Sequence, residues 1–299
     1  MTERRRRFAR LSSVIGALPM IVVGFGLYVI GILYSVTLSF TDSKLMPQFS
    51  HFVWLDNYAQ LWKEPRWLVS VENFFIYGLS AITLNMSIGF LLACCLDQRV
   101  RQEDAFRTIL LYPYAMSLVV TGLVWQWMLD PGLGIQETVR QLGWTGFGFA
   151  PLTDPATAIF GILIAGVWQA SGVTMAIMLA GLRGIDADIW KAARVDGIPT
   201  WKTYLFIAVP MMKGAVATAF VLQCVNVVRV YDLIVAQTDG GPGIATEMPA
   251  KFVIDLITRR LNVGLGMAAA TLMLLPILLL IGLQAYFDWR RRRLQARAA

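Results

Sequence analysis

The sequence predicts an all-α integral membrane protein with six transmembrane helices and both termini in the cytoplasm. Three observations predict it. Hydrophobic residues make up 57% of the 299-residue chain, against about 45–50% in soluble domains, so much of its surface has to be buried in lipid. Six apolar runs, 14–39, 74–96, 108–129, 156–182, 211–235 and 263–287, each reach the roughly 20 residues needed to cross the hydrocarbon core. Basic residues favour alternate connections: eighteen lie in 1–13, 97–107, 183–213 and 289–299, and seven in the other connections. By the positive-inside rule this places both ends and the 184–210 loop in the cytoplasm.

Taken in order, 1–13 is a basic cytoplasmic tail, 14–288 the six-helix transmembrane domain and 289–299 a second basic tail. The first run lacks a short apolar core followed by a small-residue cleavage site, so it is retained as a helix; Pro19 and several glycines permit a kink. Residues 41–71 form a polar and aromatic external segment in which Trp54, Tyr58 and Trp62 suit the membrane interface. Asn85 in the second run serves either an interhelical hydrogen bond or a solute contact. In the third run Pro113 loosens the start and Trp125-Gln126-Trp127 lies near the end. The 132–155 segment, rich in Gly, Trp and Phe, lies along the membrane surface. Gln169, Gly172 and Thr174 place small and polar groups in the middle of the fourth run. Gln223, Asn226 and Arg229 recur every three residues in the fifth, on one helical face. Such groups are costly in hydrocarbon and face the protein interior or a water-filled cavity. Asp232 either pairs with Arg229 or shares that cavity. Gly264, Gly266 and Ala268 to Ala270 let the sixth helix approach its neighbours closely.

The 184–210 loop is polar between two apolar runs. Asp186 or Asp188 can cap a short helix whose Ile189, Ala192, Ala193 and Val195 form an apolar patch, and Gly197 suits the left-handed residue that ends it. The order Ala192-Ala193, Asp196-Gly197, Tyr204, Ile207, Pro210 resembles the cytoplasmic loop of ABC importer membrane subunits, with Lys191 where the family most often has Glu and Ile198 where Ala is usual. Tyr231-Asp232 and Thr238-Asp239-Gly240-Gly241-Pro242-Gly243 resemble the signature of carbohydrate importer subunits of the maltose-importer first-subunit type. Ser39-Phe40-Thr41-Asp42, Tyr112-Pro113 and Gly240 to Gly243 look most like permeases for glucose or mannose.

This resemblance implies a type I ABC importer fold and a transmembrane subunit of an ATP-driven sugar importer in a bacterial inner membrane. It implies ATPase coupling through Ala192, Ala193, Asp196, Gly197, Tyr204 and Pro210. The implied partners are a second homologous permease subunit, a cytoplasmic ABC ATPase homodimer that binds ATP and magnesium, an extracytoplasmic sugar-binding protein that sees Asn57-Tyr58, and membrane lipid. Candidate contacts with a monosaccharide or small sugar derivative are Asn85, Trp168, which can stack on a sugar ring, Gln169, Gln223, Asn226 and Arg229.

Other classes fare worse. No Gly-x4-Gly-Lys-Ser/Thr occurs, so the chain carries no P-loop of its own. Its single histidine, His51, anchors no catalytic constellation, and Cys94, Cys95 and Cys224 have no metal-ligand spacing. The net charge of +7 reads as topology and headgroup contact, without a nucleic-acid motif. An ion-gradient-driven transporter would need acidic residues at mid-membrane, and the first four and the sixth runs show none near their centres. An ABC permease for a non-sugar solute would share the 184–210 loop but not the 238–243 signature.

Overall fold

A computed structural model describes residues 16–49, 51–98 and 100–298; the 1–13 tail and Arg99 lie outside these. Helices and their connections make up the described residues, with two isolated antiparallel bridges and no extended sheet among them. The chain divides into two units, one of residues up to Glu64 together with those from Val253 onward, the other Pro65–Phe252.

In the first unit, α1 (Gly16–Leu38) is long and apolar enough to span a membrane, and α2 (Asp56–Leu61) follows its exit turn. The turn is held by Asn57, whose buried amide donates to the carbonyls of Ser39 at 2.8 Å and Thr41 at 2.9 Å. Ser39 Oγ also meets Tyr58 Oη at 2.7 Å. Ser39, Thr41 and Asn57 therefore satisfy a buried turn, and Asn57 offers no amide to a partner's surface. The last helix of the chain, α13 (Val263–Ala298), is continuous through the basic residues at its end.

In the second unit, α3 (Pro65–Asp97) and α7 (Ala158–Arg183) are both long and apolar enough to span and form the central pair. Proline at the first position of α3 costs nothing, because that N–H has no helical partner; this starts the helix nine residues before the apolar run. Between the pair in sequence come α4 (Glu103–Ala115), α5 (Leu118–Met128) and the short α6 (Ile135–Gln141). After α7 follow α8 (Ala187–Val195), α9 (Thr200–Met211), α10 (Lys213–Val228) and α11 (Asp232–Gln237). The helix α12 (Pro249–Thr258) leads on to Val263.

Two expected spans are broken. The third run bends by 99° between α4 and α5; the fifth, 211–235, begins at an 80° bend between α9 and α10 and is interrupted at 229–231, between α10 and α11. At the first break Pro113 removes a backbone donor, Met116 turns extended (φ −78°, ψ 148°), and Ser117 caps α5 by accepting from Val120 N at 3.2 Å. At the second, Pro210 lies inside α9, and Met212 (φ −91°, ψ 23°) leaves helical geometry. Three helices thus qualify as spans outright, five if each bent pair counts as one, with a shorter apolar stretch at Val263–Pro276.

Two apolar cores hold the second unit. One gathers Tyr77, Ile162, Leu233 and Met248, the other Ala93, Met175, Leu182 and Tyr204. The approach of α4 to α7 is set by Gly172, where an added Cβ would overlap the carbonyl oxygen of Leu110. Gly214 in α10, by contrast, has nothing within 4 Å of such a Cβ. Replacing Gly172 with Leu is therefore expected to destabilise the folded state by about 3 kcal/mol through overpacking. Gly214→Ala is expected to stabilise by under about 1 kcal/mol through helix propensity. Thermal unfolding in detergent, with both variants side by side, checks the contrast.

Candidate functional site

A cavity of about 330 Å³ opens where the broken helices meet α3 and α7. Asn85 and Tyr77 reach it from α3, Gln169 from α7, and Gln223, Asn226 and Arg229 from α10 and its end. The helix breaks explain its position. Non-helical backbone at membrane depth is tolerated where it lines a cavity or finds partners in the protein. Met116, extended at the α4–α5 break, gives its carbonyl to Gln169 Nε2 at 3.1 Å. Arg229 (φ −91°, ψ 8°) ends α10 at the cavity, and Asp232 opens α11 beside it.

The polar lining is partly satisfied. Gln223 is buried and donates through Nε2 to Thr174 Oγ1 at 2.7 Å, tying α10 to α7. Asn85 is 2% exposed, and its carbonyl oxygen has no protein partner. A buried amide oxygen without a partner costs about 1–3 kcal/mol, and this one is enclosed beside the cavity. Arg229 and Asp232 are both exposed and form no ion pair among the described residues; both face the cavity. The wall thus offers amides, phenols and one charge of each sign, suited to a small solute with many hydroxyls.

Of the six solute-contact candidates, Asn85, Gln169, Gln223, Asn226 and Arg229 meet at this cavity. Trp168 does not. Its neighbour Gln169 lines the cavity, whereas Trp168 is 38% exposed and edge-on to Trp125 with ring centroids 5.9 Å apart. Tyr77 and Tyr114 also line the cavity. Tyr77 sits eight residues before Asn85, on the same helical face, so the spacing held a signal that was readable from sequence; Tyr114, beside a helix break, gave none.

The coupling candidates lie in a separate elbow. Asp186 caps α8 by accepting from Asp188 N at 2.9 Å. The helix ends in a Schellman motif: Gly197 N donates to Arg194 O at 3.1 Å and Ile198 N to Ala193 O at 3.0 Å, with Gly197 at φ +69°. Only Ala193 is buried within α8; Ala192, Val195 and Asp196 are exposed. The apolar patch is accordingly split, Ala193 turning inward with Ile189 partly covered while Val195 points to the outside. Lys191 pairs with Asp188 at 2.8 Å on the exposed face. Tyr204 is buried in α9 and Pro210 exposed near its end.

The 238–243 segment forms a tight, hydrogen-bonded turn, and none of its residues lines the cavity. Thr238 Oγ1 meets Thr246 Oγ1 at 2.7 Å, and Thr246 Oγ1 donates to Gly241 O at 2.8 Å. Buried Glu247 pairs with Arg66 at 2.9 Å, and Asn73 donates to the carbonyls of Ala245 and Glu247, both at 2.9 Å.

A polar cavity at helix breaks inside an apolar bundle, with a helix-bearing elbow apart from it, is an arrangement that suits a membrane permease. The chain belongs to the family described as binding-protein-dependent transport system inner membrane component, matching it over residues 85–293. It is 35% identical over 273 residues to a probable ABC transporter permease protein of Pyrococcus horikoshii, covering 91% of this chain and 93% of that one. It is 30% identical over 280 residues to the xylose/arabinose import permease XacH of Haloferax volcanii, covering 92% and 86%. Its fold is similar to that of a bacterial ABC transporter that imports the acidic polysaccharide alginate, with a TM-score of 0.79, 15% identity and 96% of each chain covered.

The left-handed Gly197 yields a test of the elbow. A β-branched residue at φ +69° costs roughly 1–2 kcal/mol. In Gly197→Val the backbone amides of 187–195 are expected to exchange hydrogen about tenfold faster, as read by mass spectrometry; unchanged protection would contradict the assigned cap.

Proposed function

We propose that the chain is one of two homologous membrane subunits of an ATP-driven sugar importer. The observation that carries the reading is the convergence of Asn85, Gln169, Gln223, Asn226 and Arg229 on one cavity of about 330 Å³, at the lower end of the range for small-molecule sites. That size favours a monosaccharide or small sugar derivative. XacH carries the name of a xylose/arabinose importer, and other similar permeases are named for lactose, trehalose/maltose and sn-glycerol-3-phosphate.

In this reading α4 with α5 counts as one span, the run 211–235 is the fifth and α13 supplies the sixth, with both termini and the elbow in the cytoplasm of a bacterial inner membrane. The α8 helix docks on a separate ABC ATPase, which binds ATP and magnesium. A soluble binding protein delivers solute on the opposite side, as a periplasmic protein does in the solved alginate importer. Closure of the ATPases pushes α8, tilts α7 and α10 about the cavity, and switches it between inward and outward access.

Two measurements test this. Proteoliposomes containing the full complex are expected to take up radiolabelled D-xylose, maltose or glycerol 3-phosphate with ATP, and not with an ion gradient alone; gradient-driven uptake would overturn the class. Replacing Gln223 and Asn226 together by Ala is expected to raise the apparent KM for the transported solute at least about tenfold, each lost hydrogen bond costing about 1 kcal/mol. An unchanged KM would remove the α10 face from the solute path.

A further inference from the structure

We infer that Tyr204 is a positioning residue that clasps the elbow to the connection between α3 and α4, so that the two segments move as one body. The inference rests on the reading that the elbow receives force from an ATPase. It adds a second segment through which that force passes.

The elbow needs such a tie. α8 is nine residues long, too short to be stable alone, and buries only Ala193. Beneath it lies a cavity of about 270 Å³ lined by Asp97, Gln98, Trp190, Arg194, Thr203 and Tyr204, among others. Apolar packing of Tyr204 and Trp190 with Ala93 and Leu96 joins the elbow to the end of α3 on one side; across the cavity a few directed contacts do so.

Those contacts converge on one phenol. Tyr204 Oη donates to Asp97 Oδ2 at 2.8 Å and accepts from Gln98 Nε2 at 2.8 Å, which uses both its donor and an acceptor lone pair. The carboxylate acceptor makes the first bond charge-assisted and the stronger of the two. The ring packs on Trp190 of α8 with centroids 5.0 Å apart. Thus α8, α9 and the end of α3 meet at a single side chain. The far end of the same connection is tied as well. Arg183, the last residue of α7, donates to Leu96 O at 3.3 Å and pairs with Glu103 at the start of α4 at 2.7 Å. A push on α8 then reaches α3 and α4 directly as well as through α7.

The test uses paired nitroxide labels at Val195→Cys, a site 87% exposed, and Arg101→Cys, also exposed. The native cysteines are replaced and the transporter is assembled with its ATPase. The inter-label distance distribution is expected to be narrow and to keep its mean when ATP and vanadate are added. Tyr204→Phe, which keeps the ring and loses the hydroxyl, is expected to at least double the width, and Asp97→Ala to do the same. Asp97→Asn, whose amide oxygen still accepts, is expected to restore the narrow distribution, which a general loss of stability would not do. A wild-type width in Tyr204→Phe overturns the clasp. The Val195 label alone reports docking: immobilisation on adding the ATPase with an unchanged Tyr204→Phe width refutes only the clasp. A label left free by the ATPase refutes the docking reading and the clasp with it.

Discussion

Each backbone polar group that leaves a helix at membrane depth has to find a partner, and that demand organises this molecule. The third apolar run is broken at Met116, and the fifth is bent at its start at Met212 and interrupted at Arg229, where α10 ends. Every freed group would be costly against lipid. The structure answers by gathering two of these ends around one internal cavity, where Gln169 takes the Met116 carbonyl. Packing follows from the same demand. Gly172 lets α4 come against α7 until their backbones touch, and the buried Gln223–Thr174 bond fixes α10 beside α7. The cavity is what remains between helices that had to be broken and then held together.

The elbow obeys a different constraint. It joins the apolar cores only through Ile185, Trp190, Tyr204 and Ala208, and its shape is set by caps: the Asp186 carboxylate at one end and the left-handed Gly197 at the other. Capping defines the length and exit direction of a short helix but not its tilt. Tilt is left to the contacts at Tyr204, so this segment keeps its form while its attachment to the bundle is narrow. An element that must be pushed without melting needs that combination.

Much of this was legible in the sequence where physics acts locally. The α8 helix, its Asp186 cap and its Gly197 end follow from neighbouring residues, and the three-residue spacing of Gln223, Asn226 and Arg229 gave the polar face of α10. The tight turn at 238–243 was likewise written in its glycines and threonines. What failed depended on long-range geometry. Pro113 marked a bend, but the angle of 99° comes from what each half-helix packs against, and the 80° bend before α10 was not read at all. Trp168 and Gln169 are adjacent, and only the rotation of α7 decides that one faces the cavity and the other Trp125. Asn57, which the family resemblance put in the face seen by a binding protein, is consumed by two carbonyls of the turn before it. The meeting of Asp97 with Tyr204, 107 residues apart, had no local signal at all.

The account turns on whether the exposed side of α8 meets an ATP-hydrolysing polypeptide in the membrane. A photoreactive amino acid at Ala192, exposed beside the single buried position of that helix, measures this in intact membranes. The account predicts one dominant cross-linked product containing a P-loop ATPase. Cross-links only to lipid or to another membrane subunit would contradict it.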